Sequence, residues 1–316
     1  MVTVNSVSGP LDTADLGFTL MHEHILVSSP GVRENFDVWN RAEEMERAVT
    51  KINEAQARGV KTLVDLTPGD WRDIPFVKEA VSRTGMQVIV ATGIYWEVPN
   101  YFRAIGARTI DHIAELFVKD IRDGITNTGV KAAVIKCATD EPGVTPDVDR
   151  ILRAAARAHR ATGVPISTHT HAASQVGLKQ QDVFAEEGVD LSRVVIGHSG
   201  DTEDLDYLRR LMDRGSYIGM DRFGIDTILT TTKRVATIAR LCEAGYDGKV
   251  VLSHDAACYF DWYDPALVQQ LVPNWNFNHI PDDVIPALRQ AGVSDDQIRT
   301  MTDENPRRIF ERQGAY

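Results

Sequence analysis

The stretch Phe18-Thr19-Leu20-Met21-His22-Glu23-His24 joins a short apolar run to two histidines that one residue separates. Four later apolar runs end at, or are followed by, another residue that can bind a metal ion: Lys136, His169, His198 and Asp255. A single His-x-His pair is often only surface or core polarity. Six such residues at equivalent ends of separate runs predict one cluster.

Eight short apolar runs, many with β-branched residues, are predicted as β-strands: residues 18–21, 62–66, 87–91, 132–136, 165–168, 194–197, 217–220 and 249–253. Segments with helical periodicity lie between them. Residues 146–162 are an example, because one helix face is marked there by apolar residues and a histidine at i, i+3, i+4 and i+7: Leu152, Ala155, Ala156 and His159. Strands that are apolar on both faces and alternate with helices predict an α/β protein with a parallel sheet.

Eight strands favour a single (β/α)8 barrel of the TIM type over the alternative, a doubly wound open sheet. An open sheet usually has fewer strands and often a glycine-rich first turn, which this sequence lacks. Because no Pro/Gly/Ser-rich linker divides the chain, residues 1–316 are expected to form one domain. Residues 281–312 are predicted as extra C-terminal packing helices, and a long aromatic loop is expected after the eighth strand.

The chain is acidic, with 45 acidic and 34 basic residues and a formal net charge of −11. This charge argues against a broad surface for nucleic acid or anionic membrane. The three cysteines form no CxxC pair, and neither a secretory signal nor an apolar stretch of about 18–20 residues is visible. We therefore expect a cytoplasmic protein without nucleic-acid or membrane partners.

The active-site residues of a TIM barrel lie at the C-terminal ends of its strands. Alternation along a strand sends His22 and His24 to the same side, so both can point inward. Imidazole nitrogens and a carboxylate suit Zn, Mn, Fe or Co, and a two-metal centre needs about this many ligands. Lys136 is unusual, because a lysine that ends an apolar inner strand must be paired, chemically altered or used as a nucleophile.

The other histidines carry a weaker signal. His171 forms a second His-x-His with His169, and His254 precedes Asp255, so either could support a metal ligand from behind. The remaining three fall on predicted helices or a late loop and are expected to be structural: His112, His159 and His279.

With its surroundings, this pattern resembles the phosphotriesterase-like lactonases of the amidohydrolase superfamily. The resemblance rests on five stretches: GFTLMHEH at 17–24, VIKCATDEPG at 134–143, IGH at 196–198, GMDRFG at 219–224 and LSHD at 252–255. It spans essentially the whole chain, and the combined motifs are specific for this branch of the superfamily.

The resemblance implies two divalent metal ions, which would be Zn, Co, Mn or Fe. The more buried ion would be held by His22, His24 and Asp255, and the more exposed ion by His169 and His198. Lys136 would be carboxylated by CO2 to N6-carboxylysine and would bridge both ions, with a hydroxide as the second bridge. The carbamate would turn an unwanted cation into an anionic oxygen ligand.

The resemblance also implies substrate contacts. Tyr95 would contact a lactone ring, Arg222 would line the same pocket, and Trp262 would lie on the loop after the eighth strand. Cys258 is assigned to substrate binding as well, without a covalent role. Plainer alternatives stay open: Tyr95 could be core packing and Trp262 could only anchor its loop. Arg222 could instead pair with a nearby acid such as Asp221.

The implied activity is the opening of N-acyl homoserine lactones or related γ- and δ-lactones, as in quorum quenching. The bridging hydroxide would attack the carbonyl, Asp255 would transfer the proton, and Tyr95 and Arg222 would assist catalysis. The main alternative is an organophosphate triester hydrolase with the same metals. A metal-holding barrel that binds a small molecule without turnover is a third reading. The resemblance further implies a homodimer.

Two loops depart from the lactonase pattern. The first reads TPGDWRD at 67–73 and the second WEVP at 96–99, where relatives are usually more apolar. Glu97 beside the pocket would change its polarity. The natural substrate is therefore less constrained than the metal chemistry.

Overall fold

The computed structural model describes residues 2–103, 109–311 and 314–316. Its strands are β1 (Thr3–Ser6), β2 (Gly9–Asp12), β3 (Thr19–Val27), β4 (Thr62–Asp65), β5 (Gln87–Gly93), β6 (Val134–Thr139), β7 (Ile166–Thr170), β8 (Val194–Ile196), β9 (Tyr217–Met220), β10 (Val250–Leu252) and β11 (Ala257–Phe260). β1 and β2 form an antiparallel hairpin. The other nine strands form one sheet in the order β10-β9-β8-β7-β6-β5-β4-β3-β11, and all its neighbours pair in parallel.

The sheet curls until its two ends meet at β3. β11 pairs with the end of β3, with Ala257 opposite His24. Just before β11, the Asp255 N–H donates to the His22 carbonyl over 3.0 Å, and the His24 N–H donates to the Ala256 carbonyl over 2.9 Å. β3 to β10 therefore form the predicted (β/α)8 barrel, and β11 extends its eighth strand.

The barrel seam is the junction between β3 and residues 253–257, and a buried carboxylate holds it in place. Glu23 Oε1 accepts hydrogen bonds from Ser253 Oγ at 2.8 Å and from the His254 N–H at 3.0 Å. Its Oε2 accepts from the Ala256 N–H at 2.9 Å. A buried carboxylate is stable only when hydrogen bonds replace its water. Glu23 thus holds the short segment that carries Asp255 against β3.

Helices surround the barrel. They are α1 (Val32–Asn35), α2 (Arg41–Ala57), α3 (Ile74–Thr84), α4 (Asn100–Arg103), α5 (Ile110–Arg122), α6 (Pro146–Thr162), α7 (Val176–Glu186), α8 (Leu205–Asp213), α9 (Thr231–Glu243), α10 (Pro265–Leu271), α11 (Ile285–Gln290), α12 (Asp295–Arg299) and α13 (Asn305–Glu311). α6 shows why they begin and end where they do. The Thr145 side chain accepts the Val148 N–H, Pro146 takes the first position, and Gly163 ends the helix at φ 80°.

Apolar side chains fill the barrel below the strand ends, among them Met21, Val64 and Val251. Val4 of the hairpin and Phe310 of α13 join the same cluster. The hairpin, which the sequence did not predict, and the last helix therefore close the amino-terminal end of the barrel. A site inside the barrel can open only at the other end.

The predicted first strand, residues 18–21, is too short. β3 continues through His22 and His24 to Val27 because its second half pairs with β11. Lys136 likewise lies inside β6 rather than at its end. The histidines are thus rigid strand residues, and alternation puts Glu23 on the opposite face.

The predicted C-terminal helices and the long loop after the eighth strand are both confirmed. α11, α12 and α13 are the predicted C-terminal helices; Arg312, the last residue of that prediction, lies outside the described residues. The long loop after the eighth strand carries β11 and α10. Among the helices of the described residues, none has the length and apolar character needed to cross a bilayer.

Candidate active site

The six predicted ligand side chains converge at the carboxyl end of the barrel. The backbones that carry them are close to or inside β3, β6, β7, β8 and β10. Lys136 Nζ lies 2.7 Å from His22 Nε2. Asp255 Oδ1 lies 3.2 Å from His22 Nε2 and 3.1 Å from His24 Nε2. His198 Nε2 is 3.7 Å from Asp255 Oδ2, and the His198 and His169 rings are 4.5 Å apart between centroids.

Asp221 orients two of the histidines. Its Oδ2 is 2.7 Å from His22 Nδ1, and its Oδ1 is 3.0 Å from His198 Nδ1. Oδ1 also accepts the His198 backbone N–H at 2.7 Å. A ring whose Nδ1 donates to a carboxylate keeps the lone pair on Nε2 free for a cation. Both Nε2 atoms face the centre.

The other two rings are held in a related way. His24 Nδ1 lies 2.9 Å from Thr67 Oγ1, which itself donates to Asp65 Oδ1 at 2.5 Å. His169 Nε2 lies 3.4 Å from Asp140 Oδ2. These contacts leave His24 Nε2 facing Asp255 Oδ1 and His169 Nδ1 facing the Tyr95 hydroxyl.

Two of the converging residues have strained backbones. His198 has φ 57° and Asp255 has φ 58°, both in the left-handed region that non-glycine residues seldom adopt. Such strain persists only where surrounding contacts enforce it, and it concentrates at functional sites. Here the enforcing contacts are those of Asp221 to His198 and of the β3 seam to Asp255.

The carboxyl groups of Asp255 and Asp221 are ionised. Burial alone would raise the pKa of Asp255, but the facing His198 and His22 rings, the bond to His24 and the Arg222 charge hold it well below its usual range. The pKa of Asp221 is likewise held well below its usual value against burial by His198 and His22.

The pKa values of the basic groups are lowered as well, which for these groups favours the uncharged form. Burial and the Lys136 charge lower the pKa of His22 to about 4, and burial also lowers the pKa values of His169 and His198. Burial lowers the pKa of Lys136 to about 8, although Asp255 opposes the shift. The uncharged amine of Lys136 is therefore more available at neutral pH than that of an exposed lysine.

This donor set fits divalent metal ions. His22, His198 and Asp255 each offer a ligand atom, and these atoms lie within 4.8 Å of one another. His24 Nε2 reaches the same carboxylate oxygen. Neutral imidazoles backed by acceptors, together with a carboxylate, are ligands that zinc and its neighbours prefer.

A cavity of about 470 Å³ opens above these residues. It is lined by Tyr95, Arg222 and Trp262, as the resemblance implied, and also by Trp71 and Trp96 from the two unusual loops. The Tyr95 hydroxyl lies 2.7 Å from His169 Nδ1. The Trp71 ring contacts both Tyr95 and Trp262, with centroids 4.6 Å apart in each pair. Aromatic rings therefore form one wall of the cavity.

Arg222 does not pair with Asp221, the alternative that the sequence left open. Its Nε donates to Asp255 Oδ2 at 3.0 Å and its Nη1 to Asp201 Oδ2 at 2.9 Å. Burial would lower the pKa of Arg222, but the Asp255 and Asp201 charges raise it above its usual value. The guanidinium is therefore a permanent cation beside Asp255.

Cys258 is the one predicted substrate contact that does not line this cavity. It is 2% exposed, and its Sγ lies 4.0 Å from the Ala48 carbonyl of α2. It borders a separate cavity of about 290 Å³, with Lys51 among its neighbours. The thiol packs between β11 and α2, so the structure does not bring it to the metal ligands, and no substrate role is retained for it.

The remaining histidines serve the fold. His254 Nδ1 lies 2.6 Å from Glu23 Oε1, and its Nε2 accepts the Ile280 N–H, so His254 supports the barrel seam rather than a ligand. His171 contacts Ser174. The other three contact residues away from the cavity: His112 pairs with Glu115, His159 with Tyr316 and His279 with Asp283.

Sequence reasoning missed the role of Asp221 and of Asp65. Asp221 directly follows β9, a strand end to which no ligand was assigned, and this position was the available signal. Asp65 ends β4 in the same way. Both carboxylates contact histidines or their partners rather than the cavity.

Comparison with known proteins shows which family this chain resembles. The model of the family described as "Phosphotriesterase family" matches residues 2–310. The chain is 52% identical to the "Phosphotriesterase homology protein" of Mycobacterium tuberculosis over 100% of both chains. It is 44% identical to the "Aryldialkylphosphatase" of Saccharolobus solfataricus, over 95% of this chain and 96% of that protein.

A solved structure is also similar. The phosphotriesterase from Mycobacterium tuberculosis superposes with a TM-score of 0.97 at 51% identity, and the match covers 99% of this chain and 100% of that one. The barrel and its extra C-terminal helices are thus those of an experimentally known fold.

Proposed function

The chain belongs to the phosphotriesterase family, and from this premise we propose that it is a two-metal hydrolase that opens lactones, specifically N-acyl homoserine lactones or related γ- and δ-lactones. The observation that carries the proposal is the Tyr95 hydroxyl, 2.7 Å from His169 Nδ1 at the floor of a cavity with aromatic and aliphatic walls. A polar floor fits a lactone head, and apolar walls fit its acyl substituent.

We propose that the family's two metal ions are held as the resemblance implied. The ligands of one ion would be His22, His24 and Asp255, those of the other His169 and His198, and the bridge Lys136 as N6-carboxylysine. The bound ions would supply a water acidic enough to attack at neutral pH and an electrophile for the carbonyl oxygen.

The side chains of this chain would do the rest. The ionised Asp255 would accept the proton of the attacking water and deliver it to the alkoxide that leaves when the ring opens. Arg222 would hold the carboxylate through Oδ2, which supports a fixed orientation for that transfer. Tyr95 stays protonated because burial raises the pKa of its hydroxyl far above neutrality. It would therefore donate a hydrogen bond to the substrate.

Hydrolysis of phosphotriesters is the second candidate. It is favoured by the names of the relatives, an aryldialkylphosphatase at 44% identity and a phosphotriesterase at 51% identity. The same water could attack phosphorus in place of carbon. A barrel that binds small molecules without turnover has less support, because all six predicted ligand side chains converge.

A direct comparison of substrates tests the proposal. Purified protein supplied with Mn, Co or Zn should open an N-acyl homoserine lactone. The reaction is monitored through the acid that ring opening releases. A panel with varied ring size and acyl length would identify the preferred substrate, and a diaryl or dialkyl aryl phosphate serves as the comparison. Turnover of the phosphate with none of any lactone would refute the lactonase assignment.

Tyr95→Phe is expected to lower kcat for a lactone by about 10-fold to 100-fold, because one hydrogen bond to a developing charge, worth about 1.5–3 kcal/mol, is lost. Metal content should stay unchanged, since Tyr95 is not among the proposed ligands. Tyr101→Phe, which removes the hydroxyl of an exposed tyrosine, is the matched control. Wild-type kcat in Tyr95→Phe would remove the hydroxyl from the mechanism.

The proposed assembly is a homodimer, as the resemblance implies. Light scattering of the purified protein would check it, and a single monomeric mass at micromolar concentration would contradict it.

A further inference from the structure

Arg234 is an arginine without exposed surface, near the start of α9. Its Nη1 donates to the Gly200 carbonyl at 2.5 Å and to Asp201 Oδ1 at 2.6 Å. Its Nε donates to the Leu229 carbonyl at 3.1 Å. An arginine side chain is seldom fully buried unless it is paired, because removing a charge from water is costly. The carboxylate that compensates it here is Asp201.

Asp201 is shared between two guanidinium groups. Its Oδ1 faces Arg234, while its Oδ2 accepts from Arg222 Nη1 at 2.9 Å. Arg222 in turn reaches Asp255 through Nε. Charges of alternating sign therefore run from the outer helix to the floor of the cavity in the order Arg234, Asp201, Arg222, Asp255.

The same arginine also braces the turn that follows a strained residue. Residues Ser199–Asp201 form a tight turn directly after His198, whose φ is 57°. The Asp201 N–H donates to the His198 carbonyl at 3.1 Å, and the Gly200 carbonyl accepts from Arg234. One guanidinium thus fixes both the backbone and the carboxylate of this turn.

We propose that Arg234 is a positioning residue: it fixes Asp201, and through Asp201 it fixes the Arg222 guanidinium against Asp255. The proposal rests on the proposed function in one respect: Asp255 transfers the proton while Arg222 holds its carboxylate. A free Arg222 side chain has several rotatable bonds and would sample other orientations, so Asp201 can align it only if Asp201 is itself held. Arg234 supplies that restraint.

The test compares Arg234→Met with Arg234→Lys and with a control, Arg240→Met, an exposed arginine on the same helix. Arg234→Met should lower kcat by about tenfold with little change in KM. A tenfold loss lies within the range of coupling energies between neighbours in one hydrogen-bond network. Arg234→Lys keeps the charge and should recover most of the loss. Arg240→Met should match the wild type.

A double-mutant cycle separates positioning from simple stabilisation. In an Arg222→Met background, Arg234→Met should cost no further kcat, because the group on which it acts is gone. An equal loss in both backgrounds would overturn the proposal and leave Arg234 as a stabilising contact only. The assay uses whichever substrate the wild type hydrolyses, lactone or phosphotriester, so rejection of lactones would not affect its outcome.

A readout independent of activity keeps the proposal testable if neither substrate is turned over. The Arg222 Nε–H, which donates to Asp255, should give a protected side-chain NMR signal in the wild type. That signal should broaden or shift in Arg234→Met and persist in Arg240→Met. An unchanged Arg222 signal in a folded Arg234→Met protein would refute the inference.

Discussion

Replacing Lys136 with Ala is expected to remove bound metal and activity together. We propose that the lysine acts as a carbamate, R–NH2 + CO2 → R–NH–COO⁻ + H⁺, and only the uncharged amine can react with CO2. Burial lowers the pKa of Lys136 to about 8, so the reactive form is available near neutral pH. Loss of the metal-activated water removes several kcal/mol of transition-state stabilisation, which is roughly 10³-fold in kcat/KM.

The measurements are metal stoichiometry by elemental analysis and kcat/KM with excess metal. Lys136→Glu restores a carboxylate at this position and should retain more metal than Lys136→Ala. Lys233→Ala, which removes an exposed lysine paired with Glu203, is the control and should match the wild type. Two metal ions per chain in Lys136→Ala would refute the bridge. Isotope-labelled bicarbonate and carbon NMR should reveal the carbamate in the wild type alone.

The sequence predicted the barrel because its strands are apolar on both faces and alternate with helices. It predicted the cluster of candidate ligands for the same reason: strand ends of a barrel share one rim, so His169 and His198 had to be neighbours although 29 positions separate their numbers. Such inferences need only the order of elements. They do not need the exact ends of each strand, which is why an error of several residues in β3 did no harm.

What failed depended on contacts that order alone does not give. Asp221 was an alternative partner for its neighbour Arg222, but both residues follow β9, and there Asp221 contacts His22 and His198. Arg222 contacts Asp201 and Asp255 instead. Cys258 was close to Asp255 in number, yet an irregular segment precedes β11, and the side to which Cys258 points follows only from the packing of α2.

The role of Arg222 shows the same limit in a different form. Its sequence position allowed either a substrate contact or an ion pair, and the structure gives it both a place in the cavity wall and two carboxylate partners. One partner, Asp201, lies after β8 and the other, Asp255, after β10. A pair across two strand ends requires side-chain geometry that no periodicity encodes.

Asp255→Asn is expected to lower kcat by about 10²-fold to 10⁴-fold, the usual contribution of a positioned proton acceptor. The amide keeps the shape of the side chain, and asparagine tolerates the left-handed φ of 58° better than most residues do. The substitution therefore adds little backbone strain, and a lower kcat can be attributed to the lost charge. What is lost is the charge that faces Arg222 and the Nε2 atoms of His22 and His24.

The metal-free protein gives a second, independent readout. The pKa of Asp255 is held well below its usual range, first by the facing His198 and His22 rings against the effect of burial. A carboxyl group with a depressed folded-state pKa stabilises the fold above its unfolded pKa, near 4, and this contribution disappears as the pH falls through the folded value. Asp255→Asn should therefore be less stable than the wild type at pH 7, and the gap should narrow below about pH 4.

Urea unfolding at several pH values measures that gap, and Asp206→Asn, an exposed aspartate, is the control that should show none. Activity and stability answer different questions. A lower kcat with metal content retained would identify Asp255 as the proton acceptor. Loss of metal would instead show that its main role is to bind the metal. Full kcat with two bound ions would mean that another group accepts the proton. Because Arg222 keeps Asp201 as a partner in the variant, the guanidinium should stay ordered, and the loss can be traced to the carboxylate itself.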